Sequence, residues 1–271
     1  MLQRLYPLPA ASEALQGCYL GKALRPAGWQ GLFCYANYVT SLDGRIAAPA
    51  SDGGLRVPET VANRRDWRLF QELAAHADVL ITSGRYLRDL EEGSAQDVLP
   101  IGGEREYADL RLWRAQQGRP PQPDVAIMSA SLDFPVPREL LDQGRRVQVF
   151  TGARHDEARA RRLREQGAEV HAIGRGAAVS GSELMRALAD LAYHNAYCVT
   201  GPYVLHSLMA DGVVNSLFLT TVSRIIGGAP FSSIVEGPLL DKPVDYRLDW
   251  LYLDTQAPDG LVQLFARYNQ Q

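Results

Sequence analysis

Between residues 77 and 200 the chain repeats one pattern, a short strand-like segment followed by a helical one. Residues 77–82, 125–128, 147–150, 169–172 and 197–200 are brief and mostly β-branched, aromatic or apolar, as strands buried inside a parallel sheet are. Residues 107–117, 156–166 and 183–192 have helical spacing between them, with Leu110 and Trp113 on the apolar side of the first. This alternation predicts an α/β fold with a mostly parallel central sheet and helices on both faces. Upstream, residues 32–40 read as a further strand that breaks at Asp43-Gly44, where glycine supplies the positive φ of a sharp turn. Residues 62–75 follow as a helix, with Trp67, Phe70, Leu73 and Ala74 on one face. Residues 213–222, 246–255 and 261–268 have no helices between them, so the domain is expected to finish with antiparallel strands.

A chain of 271 residues suffices for one large domain, assigned here to 32–271. Residues 1–31, with Pro7, Pro9, Pro26 and weak periodicity, are expected to be an arm or short helix on its surface. Residues 49–58 read as a loop and 91–105 as a flap or insertion. The formal charge of −3 gives no basic surplus for general attraction to nucleic acid or anionic membranes. Cys18, Cys34 and Cys198 are odd in number and far apart, which fits free thiols in a reducing compartment. The five histidines form no metal-ligand spacing, so no metal is expected. The amino terminus lacks a signal-type apolar core, and no stretch reaches the roughly 18 apolar residues of a membrane helix. The expectation is a soluble cytoplasmic protein.

A parallel sheet binds ligands at the carboxyl ends of its strands, and the residues there are the candidates. Thr40, Ser41 and Asp43 end the first strand. Ser83, Gly84 and Arg85 follow the second, offering backbone N–H groups and a guanidinium fork to a phosphate. Ser129, Thr151 and Arg154 offer hydroxyls and a cation suited to a 2′-phosphate. Thr200, Gly201, Pro202 and Tyr203 follow the last, where glycine lets a pyrophosphate or nicotinamide lie against the backbone. Gly-x-Gly-x-x-Gly is absent, which argues against a Rossmann-type site.

These stretches resemble, in order, the motifs of the pyrimidine reductase family of riboflavin biosynthesis, the C-terminal domain of the bifunctional deaminase-reductase, which has the dihydrofolate-reductase fold. Ser41-Leu42-Asp43-Gly44 is similar to its Ser-Leu-Asp-Gly signature, Ser83-Gly84-Arg85 to the Gly-Arg turn on the cofactor phosphates, and residues 123–129 to the strand near the adenosine. Thr200-Gly201-Pro202, residues 208–215 and Ile225-Ile226-Gly227-Gly228 resemble its Glu-Gly-Gly-Pro, Gly-Leu-Val-Asp-Glu and Gly-Gly stretches. The resemblance implies NADPH as cofactor, the ribose of a 5-amino-6-(phosphoribosylamino)uracil-type pyrimidine as hydride acceptor, and a homodimer. It implies Asp43 as the catalytic residue that orients substrate or relays a proton, with Thr40 and Ser41 binding substrate. The remaining cofactor residues are Ser83, Gly84, Arg85, Ser129, Thr151, Arg154, Thr200, Gly201, Pro202 and Tyr203. A cap role for Asp43, closing its own turn, stands beside the catalytic one.

The chain departs from the family at Val199 and Thr200, at Asn215-Ser216 where an acidic pair is usual, and at Leu87 in place of a threonine. It shows no His-x-Glu with a later Pro-Cys-x-x-Cys, so a stand-alone reductase without the zinc deaminase is expected. Two other readings are kept. One is a pterin or dihydrofolate reductase, with Glu59 or Asp66 facing the ring. The other is a catalytically silent NADPH-binding relative with a sensing or assembly role, motivated by Val199 and Asn215-Ser216.

Overall fold

The computed structural model describes residues 1–50, 54–93 and 101–271. Its central segment is Phe33–Ser41, whose side chains are buried on both faces except at two half-buried positions. A strand apolar on both sides belongs in the middle of a sheet covered by helices. In chain order the elements are β1 (Leu2–Tyr6), β2 (Ala11–Glu13), β3 (Phe33–Ser41), a small ribbon of β4 (Ala48–Pro49) and β5 (Leu55–Arg56), α1 (Arg64–His76), β6 (Val79–Ser83), α2 (Gly84–Glu91), α3 (Ala108–Gln116), β7 (Asp124–Met128), α4 (Arg138–Asp142), β8 (Val147–Thr151), α5 (Glu157–Glu165), β9 (Glu169–Ala172), α6 (Gly181–Asp190), β10 (Asn195–Cys198), α7 (Pro202–Ala210), β11 (Ser216–Val222), β12 (Tyr246–Asp254) and β13 (Gln263–Gln270).

The main sheet has the order β2-β1-β12-β13-β11-β3-β10-β6-β7-β8-β9. From β11 to β9 every neighbouring pair is parallel, and β13, β12, β1 and β2 add antiparallel strands beyond β11. This is the mostly parallel, dihydrofolate-reductase-like sheet with antiparallel closing strands that the alternation and the resemblance imply. One refinement concerns β11, which is antiparallel to β13 but parallel to β3, from Ser216 opposite Tyr35 to Val222 opposite Ser41. Helix α7 lies between β10 and β11 in the chain and carries it to the far side of β3.

Local sequence explains the helix starts. Asn63 caps α1, its side chain accepting from the Arg65 and Asp66 N–H groups at 3.0 and 3.1 Å. Ser180 and Glu183 form a capping box on α6, and Pro202 occupies the first turn of α7. The expected helices 62–75, 107–117, 156–166 and 183–192 are present within a few residues. The short helices α2 and α4 carry no apolar period long enough to announce them. Leu69 and Leu73 of α1 pack in the core on one face of the sheet, and Leu205 and Leu208 of α7 in the core on the other. The connections that leave β3, through α1, and β10, through α7, therefore take opposite faces, which places a switch point at the carboxyl ends of these two adjacent strands.

Residues 1–31, expected as a surface arm, are built into the domain. They supply the outermost strands of the antiparallel side, and Leu2, Cys18, Tyr19 and Leu24 are buried in the main core. Of the expected flap, 94–100 lie outside the described residues, whereas Ile101 is buried and Gly102 N–H donates to Gln71 at 2.9 Å. Residues 51–53 of the expected loop likewise lie outside the described residues. No helix among the described residues is long and apolar enough to cross a membrane, and they hold no cluster of three metal-ligating side chains.

Candidate active site

The strands β3, β10, β6, β7 and β8 lie side by side and parallel, so the sequence-derived candidates fall along one edge of the sheet: Thr40, Ser41 and Asp43, then Thr200 to Tyr203, Ser83 to Arg85, Ser129, and Thr151 with Arg154. The topology brings them to one edge, but it gives them different work.

Asp43 is fully engaged. Its Oδ1 accepts from Ser41 Oγ at 2.5 Å and from Ile226 N–H at 3.4 Å, and its Oδ2 accepts from Gly227 N–H at 2.9 Å and from Arg45 at 2.7 Å. These donors, the Ser41 hydroxyl foremost, hold the carboxyl down to about 2. A group this acidic is a carboxylate at neutral pH and has no proton to give, so the geometry corresponds to the turn-closing role rather than the relay. Ser41 and Thr40 are spent locally as well: Ser41 Oγ accepts from Arg45 N–H at 3.0 Å, and Thr40 Oγ1 donates to the Ser41 carbonyl at 3.0 Å. Because the folded-state carboxyl lies below its ordinary value near 4, its contribution to stability is present above about pH 4 and is lost as pH falls toward 2. The stability difference between the parent and Asp43→Asn, followed by urea denaturation, is therefore expected to shrink across that interval.

Several cofactor candidates serve as caps. Ser83 Oγ accepts from Tyr86 N–H at 3.3 Å as the cap of α2, and Ser129 Oγ accepts from Leu132 N–H at 3.0 Å. Gly84 is required by packing, since a Cβ there would sit 2.6 Å from the Phe134 ring and 3.0 Å from Ser129 Oγ. Thr151 is fully buried, and residues 173–176 cover its strand end, with Ile173 N–H donating to its carbonyl at 2.8 Å and Arg154 N–H to Gly176 O at 3.1 Å. The others remain open to a ligand. Gly201 begins α7 exposed, with nothing within 4 Å of where a Cβ would stand. Tyr203 and Arg154 are exposed, and the Arg85 side chain, 74% exposed, stands 3.8 Å from Asp89. Thr200 accepts from Tyr38 through its carbonyl at 2.8 Å, while its buried Oγ1 has no partner among the described residues. A dinucleotide would find a bare helix start, an unpaired hydroxyl and exposed cations here, which fits a phosphorylated cofactor.

Asp66, named from the sequence only for the pterin reading, lies on the α1 face of the sheet. Asp66 is 7% exposed, and burial pushes its carboxyl up to about 6 despite the Thr220 hydroxyl beside it. Among the described residues its Oδ1 has no hydrogen-bond partner, and neither do the buried hydroxyls of Tyr197 and Thr82 on the adjoining strands β10 and β6. Asn37 lies alongside Tyr197, and the Phe70 ring packs 5.5 Å from the Tyr197 ring. Unpaired buried polar atoms are rare because each costs free energy, and these stand on the α1 face of the sheet, where a ligand would pair them. Asp66 stands one turn before Leu69 and Phe70 and two before Leu73, so a carboxylate on the apolar stripe of α1 was the available signal. Glu59 is exposed in the loop before α1 and does not join this group.

A family model described as the RibD C-terminal domain matches residues 33–256, most of the chain. The chain belongs to that family. Among solved structures it is similar to a pyrimidine reductase-like protein from Corynebacterium diphtheriae, with 22% identity, a TM-score of 0.65, and 89% of this chain and 92% of the other covered. It is also similar to the riboflavin biosynthesis reductase Rib7 of Saccharomyces cerevisiae, with 15% identity, a TM-score of 0.54 and coverage of 93% and 94%. A third is the Thermotoga maritima diaminohydroxyphosphoribosylaminopyrimidine deaminase/5-amino-6-(5-phosphoribosylamino)uracil reductase, with 12% identity and a TM-score of 0.56; the alignment covers 89% of this chain and 57% of that one. At these identities the likeness is one of fold. No curated protein matches the chain.

Within this RibD C-terminal domain the departures from the family pattern have structural explanations. Asn215 Oδ1 accepts from Cys34 N–H at 2.8 Å, and Ser216 Oγ donates to Asn269 at 2.5 Å, so both tie β11 to its neighbours at the amino edge, away from the crevice. Leu87 is buried in the core on α2, and Val199 packs against the same core.

Proposed function

We propose that this RibD C-terminal domain is an NADPH-dependent reductase acting on the ribose of a 5-amino-6-(phosphoribosylamino)uracil-type pyrimidine in riboflavin biosynthesis, working in the cytoplasm as a homodimer. The observation that carries the site is the group of unpaired buried atoms under α1, Asp66 Oδ1, Tyr197 Oη and Thr82 Oγ1, on the face of the sheet that α1 covers. When bound, the cofactor supplies a hydride to C1 of the ribose in its imine or open-chain form. Gly201 and Thr200 would hold the cofactor against β10, with Arg154 and Arg85 meeting its phosphates. Asp66, Tyr197 and Thr82 would pair the heterocycle and fix the acceptor carbon in the crevice. Asp43 fastens the segment around Gly227 to the end of β3, which makes it a positioning residue.

The membership of the family and the order of the edge residues support this reading, and the cytoplasmic and dimeric parts rest on the resemblance alone. Asp66 favours a second reading, a pterin reductase, because a buried carboxyl facing a ring with adjacent N–H groups is what such a heterocycle needs. One experiment separates them. The purified protein is titrated with NADPH and with NADH, then NADPH oxidation is followed with the phosphoribosylamino-pyrimidine and with dihydrofolate. Selective NADPH binding with turnover of the pyrimidine is expected. Turnover of dihydrofolate alone would transfer the assignment to the pterin reading, binding without turnover of either would favour the silent relative, and no binding would overturn the function.

A further inference from the structure

The amino edge of the parallel strands, opposite the crevice, carries an open cavity of about 450 Å³. One wall is the segment from Leu20 to Trp29, which lies outside the span matched by the family model. The opposite wall includes Trp113, edge-on to His76 at 4.7 Å, and Asn195 at the start of β10. Trp29, itself edge-on to Phe33 at 5.4 Å, adds a second indole.

The charge of the cavity is one-sided. Lys22, Arg25 and Arg119 line it and no aspartate or glutamate does, in a chain whose net charge is −3. Lys22 meets Glu13 at 3.3 Å and Arg119 pairs with Asp78, whereas Arg25 has no ion pair among the described residues. His76 is 7% exposed, and burial lowers its ring to about 4, so the imidazole is neutral and the positive charge sits with the three long side chains. Asn195, 4% exposed, donates to the His76 carbonyl at 3.0 Å, and its own Oδ1 has no partner among the described residues. A cavity with indoles, three cations of which Arg25 has no ion pair among the described residues, and an unpaired acceptor selects a planar ring that carries N–H groups and an anionic tail.

We propose that this cavity is a second ligand site that takes an aromatic 5′-monophosphate, its ring against Trp29 and Trp113 and its phosphate at Arg25 and Lys22. It is distinct from the cofactor crevice, because β10 begins at Asn195 in the cavity wall and runs toward Thr200 at the opposite edge. The proposal does not depend on the reaction assigned above.

The test is isothermal titration of the full chain with FMN, AMP and ribose 5-phosphate, in the presence of saturating NADPH so that the cofactor part of the carboxyl edge is occupied, with Arg25→Glu separating the amino-edge cavity from the substrate part. FMN or AMP is expected to bind, and ribose 5-phosphate to bind about tenfold more weakly or worse for want of a ring. Arg25→Glu, a loop position without an ion pair, is expected to weaken binding by at least about tenfold. Trp113→Phe, which keeps an aromatic ring beside His76, checks the stacking wall and should weaken binding less than Arg25→Glu. Absence of binding by both aromatic monophosphates, equal binding of ribose 5-phosphate, or binding indifferent to Arg25→Glu would overturn the proposal. Because the Arg25→Glu comparison reads the amino edge directly, it decides the matter even where NADPH itself fails to bind.

Discussion

Replacing Asp66 with asparagine is expected to make the protein more stable at pH 8 and at the same time a poorer enzyme. The carboxyl sits in a buried crevice with one oxygen unpaired, and burial raises it to about 6 from an ordinary value near 4. The sign follows from that direction. A folded-state value above the unfolded one favours the folded protein while the group is protonated, below about pH 4, and this contribution is lost as pH rises through about 6. At pH 8 the buried carboxylate then costs the fold roughly 1 to 3 kcal/mol, which a neutral amide of the same shape avoids. Urea denaturation of parent and Asp66→Asn at pH 5 and pH 8 should show the variant gaining relative stability at the higher pH. If Asp66 pairs the heterocycle, turnover should fall by about tenfold or more while NADPH affinity stays within about twofold. Equal pH dependence of the two proteins would remove the buried carboxylate from the argument, and unchanged turnover would remove it from the site.

The second large effect is one of stability alone. Glu72, on the core face of α1, is completely buried and gathers the turn at residues 17–20: Oε1 accepts from Gly17 N–H at 2.6 Å, and Oε2 from Tyr19 and Leu20 N–H at 2.8 and 3.1 Å. Arg68, one turn earlier, completes the set at 2.8 Å and continues to Asp109 at 2.5 Å. Removing the carboxylate leaves three backbone N–H groups and the Arg68 Nε–H without their acceptor, and Glu72→Ala is expected to cost about 3 to 5 kcal/mol. Glu72→Gln keeps the shape but turns an N–H pair toward N–H donors, so a loss of about 1 to 3 kcal/mol is expected. Chemical denaturation measures both, and a loss below about 1 kcal/mol for the alanine variant would mean that this network does not hold the amino-terminal segment.

These two carboxylates also mark where the sequence stops being informative. Asp66 and Glu72 stand on one helix, with Asp66 at the start of the apolar stripe, and nothing in their spacing says that one is unpaired and the other satisfied by four donors. That difference is made by residues 17–20 and Thr220, which are distant in the chain. The same holds for Asp43. Its Asp-Gly turn is legible from Gly44 alone, but the donors that fix its protonation state come from Ile226 and Gly227.

Local chemistry by itself determined the alternating strands and helices, the break after β3, the start of α7 at Pro202 and the placing of the candidate residues at strand ends. Each follows from side-chain period, β-branching, caps and the conformational limits of glycine and proline, which act within a few residues. The order and register of the sheet, the parallel placing of β11 beside β3 and the burial of residues 1–31 were decided only in the tertiary structure. So was the division of the edge residues into caps such as Ser83 and Ser129 and open positions such as Gly201. Whether a hydroxyl caps a helix or waits for a ligand depends on which N–H groups the fold brings within reach, and that is a property of packing across the whole chain.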